Sequence, residues 1–161
     1  MRLPAFILSP LAAFADRIIL NREPDEIIGE PNDPYMLRWF AIRKNPFFGV
    51  MVHQFMRSDD DRALHDHPWP NVSILLIGRY IEHTIAAGGV NHRQVYRSGD
   101  IKIRRAKSAH RIELTNRECI TLFIRGPKVR EWGFHCAQAG WRHWRDYCKP
   151  GDRNQVGRGC A

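Results

Sequence analysis

The chain has 161 residues, 43% of them apolar, and its 25 Lys and Arg outnumber its 17 Asp and Glu, giving a formal net charge of +8. This length and apolar content can supply the core of one domain, which excludes a wholly disordered chain. The positive charge favours a small anionic molecule as ligand. The basic residues are spread along the chain rather than grouped in one stripe, which argues against nucleic acid as a partner. No apolar stretch is long enough to span a membrane.

The N-terminal segment begins with an apolar run. Its Ala-Phe-Ala sequence at residues 13–15 resembles a signal-peptide cleavage site. However, Ile7, Leu11, Phe14 and Ile18 recur at helical spacing, which favours an amphipathic helix packed on the rest of the molecule. We therefore expect a short N-terminal helix and a cytoplasmic protein.

The cysteines support the same location. Cys119, Cys136, Cys148 and Cys160 form no CxxC pair, and in a chain of this length they do not indicate a disulfide framework. The sequence therefore predicts reduced thiols in a reducing compartment. Cys119 and Cys136 fall in predicted strands and are expected to be buried and inert.

Short β-rich runs separated by turns fill the chain from Met36 onward, after a polar loop at 21–34. The run 72–77 is continuously apolar, as is typical of a strand buried on both faces. An acidic loop is expected at 58–62 and a turn at 86–91. Many short strands predict an all-β barrel or sandwich. The predicted strands are 37–43, 50–57, 72–77, 80–85, 95–96, 101–105, 111–114, 120–124 and 129–136.

The end of the chain changes character. Trp141, Trp144 and Tyr147 stand at near-helical spacing and are expected to cover the barrel. Residues 149–161 are polar and Gly-rich, which predicts a mobile tail. The predicted organisation is a helix and loop at 1–35, a barrel at 36–148 and a flexible tail at 149–161.

Two histidines carry the strongest chemical signal. His65 and His67 stand at i and i+2, so in an extended segment they point to one face with Cα atoms about 6.5–7 Å apart. Imidazoles at that separation can share one ion at about 2.0–2.1 Å per bond. A third ligand must come from a neighbouring strand, and His110, just after the basic strand 101–105, is the candidate.

The spacing around these histidines resembles the first motif of the cupin family, G-x5-HxH-x3,4-E-x6-G. The two histidines fill the HxH, Asn71 stands at the glutamate position three residues later, and Gly78 follows after six more. The leading glycine is replaced by Asp59. The segment HDHPW from His65, followed by WGF and GW near the end, also resembles small bacterial and phage cupins of unknown activity.

The second cupin motif, G-x5-PxG-x2-H-x3-N, is matched in spacing. Gly99 and His110 occupy the first glycine and the histidine. Arg105, Lys107 and Leu114 stand where cupins have proline, glycine and asparagine. The resemblance covers about residues 50–135.

The resemblance implies an RmlC-like jelly-roll barrel, the cupin double-stranded β-helix, with an N-terminal helix and a C-terminal extension. It implies one divalent metal held by His65, His67 and His110, with Asn71 as a weaker fourth ligand. Three-histidine sites occur in cupin-like thiol dioxygenases, so Fe2+ is the expected ion. Zn2+, Ni2+ and Mn2+ are alternatives that the sequence does not separate. Cupins often dimerise, so a homodimer is also expected.

Tyr80, Glu82 and His53 are further candidates for the site. Tyr80 and Glu82 share a face beyond Gly78 and are candidate catalytic groups, with Glu82 as general base or ligand if that face is inward. Otherwise Glu82 is a solvated charge. His53 is either a further inward histidine that supports the site or an ordinary core or surface residue.

The pocket wall offers candidates for substrate binding. Arg104, Arg105 and Arg125 lie on predicted strands, and an arginine inside a barrel needs an anionic partner. Arg104 and Arg125 are therefore candidates for holding a substrate anion, although outward-facing arginines are the default. Trp69 follows the HxH and is expected to line the pocket. Asp66, between the two ligands, should face away from them, where it either orients the loop or faces solvent.

Three functions fit these features. The first is a non-haem Fe(II)-dependent dioxygenase-type enzyme that acts on a small anionic molecule. The second is a non-redox isomerase, epimerase or lyase that uses the metal as a Lewis acid. The third is a cupin that binds a ligand without catalysis.

Overall fold

The N-terminal segment folds as the predicted helix. The computed structural model describes residues 1–43, 45–59, 63–115 and 118–161. Helix α1 (Ala5–Asn21) buries Ala15, and Leu11 and Ile18 pack beside it against the sheet. Ile7 and Phe14, which the spacing placed on the same face, are 39% and 46% exposed. The packed face is therefore rotated toward Leu8 and Ala12 relative to the predicted one.

Short antiparallel strands make up most of the remaining described residues. A four-residue helix, α2 (Trp144–Tyr147), lies near the end of the chain. The strands are β1 (Glu26–Glu30), β2 (Asp33–Ile42), β3 (Gly49–Phe55), β4 (Leu64–His65), β5 (Asn71–Ile77), β6 (Arg79–Ile85), β7 (Asn91–Arg97), β8 (Ile101–Arg104), β9 (Arg111–Leu114), β10 (Cys119–Arg125), β11 (Gly133–Cys136), β12 (Gly140–His143), β13 (Cys148–Lys149) and β14 (Asp152–Val156).

The largest sheet has six strands in the order β1-β2-β3-β10-β5-β8. Side chains alternate across it, as the strand repeat requires. Ile120 and Leu122 of β10 pack toward α1, whereas Phe123 faces the barrel interior and stacks on His53 with ring centroids 5.0 Å apart. The helix therefore covers the outer face of this sheet and leaves the inner face for the site.

Two three-stranded sheets, β7-β6-β9 and β12-β11-β4, form the rest of the barrel. They are connected through an antiparallel bridge between His65 and His110. Met36, Phe55 and Leu75 of the large sheet pack against Tyr80 and other residues of β6, β7 and β9 in one buried cluster. This arrangement confirms the all-β jelly-roll barrel with an N-terminal helix.

The central strands follow the prediction, and the differences lie at the two ends. The segment 21–34 was predicted as loop, but β1 forms there and pairs with β2 as an edge strand. The acidic loop predicted at 58–62 lies partly outside the described residues, because positions 60–62 are not among them. The last predicted strand shortens to β11, since residues 129–132 are not extended into the sheet.

The segment predicted as a mobile tail contains regular structure. Residues 148–156 form a hairpin of β13 and β14, and β14 contacts β1. Arg153 of β14 forms an ion pair with Glu26 of β1 at 3.1 Å, and Arg142 Nη1 donates to the carbonyls of Gly159 and Ala161 at 2.9 and 2.5 Å. These polar contacts hold a segment whose composition alone suggested disorder.

A disulfide also holds the tail, which corrects the prediction of four reduced cysteines. Cys136 of β11 is bonded to Cys160, whereas the thiols of Cys119 and Cys148 are buried and not in a disulfide. Burial raises the pKa of the Cys119 thiol to about 12, as expected of an inert thiol. The disulfide removes the cysteine argument for a reducing compartment.

Among the residues that the structure describes, no helix has both the length and the apolar character needed to cross a bilayer.

Candidate metal centre

The backbone brings the three predicted histidines together. His65 N donates to His110 O and His110 N donates to His65 O, both at 2.9 Å, so the two residues stand directly opposite each other. His67 follows two residues later and donates its backbone N–H to Ala106 O at 3.0 Å. The ligand atoms of the three side chains all lie within 4.8 Å of one another. The predicted histidine cluster is thus present.

The cluster fits a metal ion in geometry. His67 Nε2 and His110 Nε2 lie 2.9 Å apart. Two such atoms bound at right angles to one ion, at about 2.0–2.1 Å each, would be about 3.0 Å apart. The histidine cluster can therefore hold a divalent metal, whose identity the geometry leaves open.

The protonation state of two of the histidines also suits metal binding. Burial, followed by the neighbouring His110 and His65, lowers the pKa of His67 well below its ordinary value. Burial and then the charge of Arg104 lower the pKa of His110 to about 3. Both imidazoles are neutral near pH 7, and a neutral imidazole has the lone pair that metal binding requires.

Two carboxylates orient the histidine rings from behind. Glu82 Oε1 lies 2.9 Å from His110 Nδ1, and Asp59 Oδ2 lies 3.3 Å from His65 Nδ1. A carboxylate beside Nδ1 holds the proton on that atom and directs the Nε2 lone pair to the opposite side of the ring. The sequence identified Glu82 as a candidate base or ligand, and Asp59 only as a departure from the motif.

Glu82 is inward-facing but lies behind the histidines, away from the cavity. It is 1% exposed, and Arg104 Nε donates to its Oε1 at 2.8 Å while Lys102 Nζ lies 3.1 Å from Oε2. Burial alone would raise its pKa, but the hydrogen bond from His110 and the charge of Arg104 hold the pKa of this carboxyl below its ordinary value. Glu82 is therefore a fixed anion.

Tyr80, the other candidate catalytic residue, belongs to the core. It is 2% exposed and its ring lies 5.5 Å from that of Tyr96. Burial raises the pKa of the Tyr80 hydroxyl, so this group stays protonated. Neither Tyr80 nor Glu82 lines the cavity beside the histidines.

Arg104 and Asn71 are also placed differently from the expectation. Arg104 is 4% exposed, does not line the cavity and pairs with Glu82. Its Nη1 lies 3.5 Å from Asn71 Oδ1, while Asn71 Nδ2 is buried without a partner. A guanidinium only donates, so Arg104 fixes the amide with its oxygen turned toward the arginine. On the side away from Arg104, Asn71 therefore presents its amide N–H and not an oxygen that could bind a metal ion.

Beside the histidines the barrel contains a cavity of about 430 Å³. Its wall includes His65, His67 and apolar side chains such as Met51. Trp69 and Arg125, which were predicted to line a pocket, are also part of this wall. Four cationic side chains line it: Arg38, Arg125, Lys128 and Arg153. Among the described residues, Asp59 is the only carboxylate in the lining. The size suits a small molecule, and the charge suits an anion.

Part of the cavity wall was missed by sequence reasoning. Arg153, Asn154, Gln155 and Val156 of β14 line the cavity, although their segment was predicted to be mobile. Their sequence is short and polar, and their position depends on contacts with β1 and on the disulfide. No local sequence pattern could therefore have identified them as cavity residues.

Asp66 faces away from the ligands, as predicted, but it is not a surface residue. It is 1% exposed, accepts from Gly133 N at 2.8 Å and from Trp141 Nε1 at 3.1 Å, and lies 2.6 Å from Arg130 Nη1. Asp66 thus ties the segment between the two histidine ligands to β11 and β12. The alternation of the HxH predicted its direction but not these partners.

His53 is an inward residue of the barrel core. It is 4% exposed, and Arg38 Nε donates to its Nε2 at 3.0 Å. Burial and then the charge of Arg38 lower the pKa of His53 well below its ordinary value. It is not part of the metal-ligand cluster.

Comparison with known proteins supports the fold. No family model matches the sequence, and no curated protein matches it. Several solved structures match, at low sequence identity. An uncharacterized conserved protein with a double-stranded β-helix domain from Klebsiella pneumoniae is 16% identical, with a TM-score of 0.50 over 66% of this chain and 90% of that chain.

Two further structures show the range of matches. Oxalate decarboxylase from Bacillus subtilis, described with Mn(II) centres, is 16% identical with a TM-score of 0.51, and the match covers 71% of this chain but 30% of the enzyme. A protein with a cupin-2 domain from Shewanella frigidimarina is 12% identical with a TM-score of 0.49, over 70% of this chain and 91% of that chain. The chain therefore has the double-stranded β-helix fold, the fold of cupins.

Proposed function

We propose that this protein is a metal-dependent cupin enzyme that oxidises a small anionic molecule with dioxygen. The divalent ion that we propose is Fe2+, ahead of Zn2+, Ni2+ and Mn2+. The observation that carries the proposal is the convergence of three imidazoles, from His65, His67 and His110, beside a cavity of about 430 Å³. A three-histidine set leaves positions open on the ion for substrate and dioxygen, and Fe2+ would supply the redox chemistry.

The one described carboxylate in the cavity lining is engaged by a histidine of the cluster, which favours a redox reaction over an isomerase, epimerase or lyase. Among the described residues, Asp59 is the one carboxylate that lines the cavity, and it faces His65 Nδ1 at 3.3 Å. Glu82 and Tyr80 lie outside the lining. A reaction that depends on proton transfer by a side chain would need a group within hydrogen-bonding distance of the substrate.

The protein's own side chains would hold the reactants in place. Glu82 and Asp59 fix the rings of His110 and His65. The cationic lining attracts an anion into the cavity, and the apolar wall excludes water around it. The residues would thus position the substrate, and a bound metal would supply the redox chemistry.

Metal content tests the first part of the proposal. Protein purified without a chelator or a His tag is compared by elemental analysis with the double variant His65→Ala/His110→Ala. The matched control is His92→Ala, which removes an exposed histidine of β7. We expect about one equivalent of metal in the native protein and the control, and none in the double variant. Equal metal in all three would reject the site.

Oxygen uptake tests the second part. Protein reconstituted with Fe2+ is screened with small thiols and carboxylates, beside the same protein loaded with Zn2+. Substrate-dependent oxygen consumption with Fe2+ alone supports the proposal. Turnover with Zn2+, Ni2+ or Mn2+ in the absence of oxygen would instead establish the non-redox enzyme. A protein that takes up no metal on reconstitution would be a ligand-binding barrel.

A further inference from the structure

Arg125 is a buried cation at the end of β10. It is 7% exposed and lines the cavity. Its Nη1 donates to Gly126 O at 3.1 Å and its Nη2 donates to Asn45 O at 2.9 Å, so two backbone carbonyls fix the guanidinium. An arginine has five N–H donors, and these bonds use two of them, which leaves three without a partner in the described residues.

Within 1–43, 45–59, 63–115 and 118–161, no carboxylate balances this charge. The two buried arginines of the described chain are Arg104 and Arg125, and Arg104 pairs with Glu82 whereas Arg125 forms no ion pair among the described residues. A buried charge without an anionic partner is energetically unfavourable. Arg125 is therefore arranged for an anion that the polypeptide itself does not provide.

Trp69 supplies a second unpartnered donor at the same place. The guanidinium of Arg125 lies over the Trp69 ring, 5.2 Å from its centroid, and this contact orders both groups. Trp69 Nε1 is buried and has no hydrogen-bond partner. Both side chains line the cavity. A buried indole N–H normally finds an acceptor, so its lack of one is an independent indication of a missing ligand.

These donors lie one strand repeat from the metal ligands. Phe123, two residues before Arg125 and on the same inward face of β10, has its ring 5.9 Å from that of His67. Arg125 is therefore displaced by about 6.5–7 Å along the strand from the residue that contacts the histidine. Trp69 is likewise two residues beyond His67. A small molecule can thus reach the metal with one end and Arg125 with the other.

We propose that the cavity binds a small carboxylic acid with an apolar body, whose carboxylate is held by Arg125 and Trp69 Nε1 while its other end points toward the histidines. A carboxylate matches the guanidinium with two parallel N–H···O bonds. Its single charge matches Arg125, the one lining cation that forms no ion pair among the described residues. Apolar wall residues such as Met51 and Phe134 suit an apolar body. This inference rests on the proposed function and names its substrate class.

Binding of defined acids tests the proposal. Benzoate, phenylacetate and 3-phenylpropionate are titrated calorimetrically into the protein in a low-chloride buffer, with 2-phenylethanol and phenyl phosphate as comparisons. We expect at least one of the acids to bind, and the alcohol and the phosphate to bind more weakly by about tenfold or more. Failure of all three acids to bind, or tighter binding of the alcohol or the phosphate, would overturn the proposal.

Variants identify the residues responsible. Arg125→Gln is expected to weaken acid binding by about 30-fold or more, because a buried charged partner is lost. Arg105→Gln, which removes an exposed arginine, is the matched control and should leave binding unchanged. Trp69→Phe keeps the ring and removes the N–H, so it should weaken binding by about tenfold. Binding unchanged in a folded Arg125→Gln or Trp69→Phe protein would contradict the assignment.

Metal content measured on the same samples separates the two proposals. Acid binding that depends on Arg125 in a protein without metal would uphold the anion site and reject the metal enzyme. A metal-loaded protein that binds none of the acids would do the reverse. Circular dichroism and thermal melting confirm that each variant is folded before its affinity is interpreted.

Discussion

His65 and His110 form a mutually hydrogen-bonded backbone pair, with each N–H donating to the other's carbonyl at 2.9 Å. In an antiparallel pair, residues directly opposite each other project their side chains to the same face. The bridge therefore connects the two three-stranded sheets of the barrel and, in the same step, places two imidazoles side by side. His67 joins them because it follows His65 by two residues.

Neutralising Glu82 should weaken both folding and metal binding. In Glu82→Gln, Arg104 and Lys102 lose their shared anion, so we expect the free energy of unfolding to fall by about 3–5 kcal/mol. Because the carboxylate also orients His110, metal affinity should fall by about 10- to 100-fold. Urea unfolding and Zn2+ titration measure the two effects.

Glu23→Gln, a substitution at an exposed glutamate, is the control for Glu82 and should change neither quantity. A Glu82→Gln protein that loses stability but binds Zn2+ with native affinity would show that Glu82 does not orient the ligand.

His53 should make stability depend on pH. Its folded-state pKa lies well below the ordinary value of 6.5, because burial and the Arg38 charge disfavour the imidazolium. Arg38 Nε already donates to His53 Nε2, so protonation of that nitrogen would replace a hydrogen bond with repulsion. The contribution of neutral His53 is present above about pH 6.5 and is lost as the pH falls below it, by about 1.4 kcal/mol per pH unit.

Comparison with His53→Gln isolates this contribution. The metal-free native protein and the variant are unfolded in urea at pH 7.5 and pH 5.5. The native protein should lose more stability than the variant between these values, by about 1.4 kcal/mol. Parallel losses in the two proteins would mean that His53 does not titrate abnormally.

The histidine ligands were predictable because their pattern is local. His65 and His67 follow from the two-residue repeat of a strand, and His110 from a spacing that resembles a cupin motif. The inward direction of Glu82 was open, and its position behind His110 depends on the register between β6 and β9. Register across a sheet is set by many contacts, so one sequence did not determine it.

The walls of the cavity were harder to predict than its ligands. Arg104 and Arg125 are both on β-strands and both buried, yet one pairs with Glu82 and the other lines the cavity. That difference arises from which neighbouring strands carry an acid, and the sequence presented the two as equivalent. The place of β14 in the cavity wall depends on the disulfide between Cys136 and Cys160, which are 24 residues apart in the sequence.

Thiol counting tests the disulfide. Denatured, unreduced protein treated with iodoacetamide should be labelled at two cysteines, Cys119 and Cys148, and at all four after reduction. Mass spectrometry reports the number directly. Four labelled cysteines without prior reduction would show that Cys136 and Cys160 are not bonded.

Removal of the disulfide should loosen the C-terminal hairpin. Cys160→Ser is expected to lower the free energy of unfolding by about 2–4 kcal/mol, because the closed loop constrains the unfolded chain. Limited proteolysis should then cut within 149–161 more rapidly than in the native protein. If reduction of the native protein reproduces both effects, the bond itself is the cause. Unchanged cleavage would mean that ion pairs such as Arg153 with Glu26 hold the hairpin alone.

Asp66 provides the last prediction, because it connects the ligand segment to two strands. In Asp66→Asn the side chain keeps its size but loses the charge that faces Arg130 and one of the oxygens that accept from Gly133 N and Trp141 Nε1. We expect the free energy of unfolding to fall by about 1–3 kcal/mol.

Metal affinity should fall with stability in Asp66→Asn, since the segment between His65 and His67 is then less firmly held. Asp146→Asn, at an exposed aspartate of α2, is the matched control and should change neither stability nor Zn2+ affinity. Native Zn2+ affinity in a destabilised Asp66→Asn protein would show that Asp66 supports β11 and β12 without positioning the ligands. A loss of affinity at native stability would instead place its main effect at the metal centre.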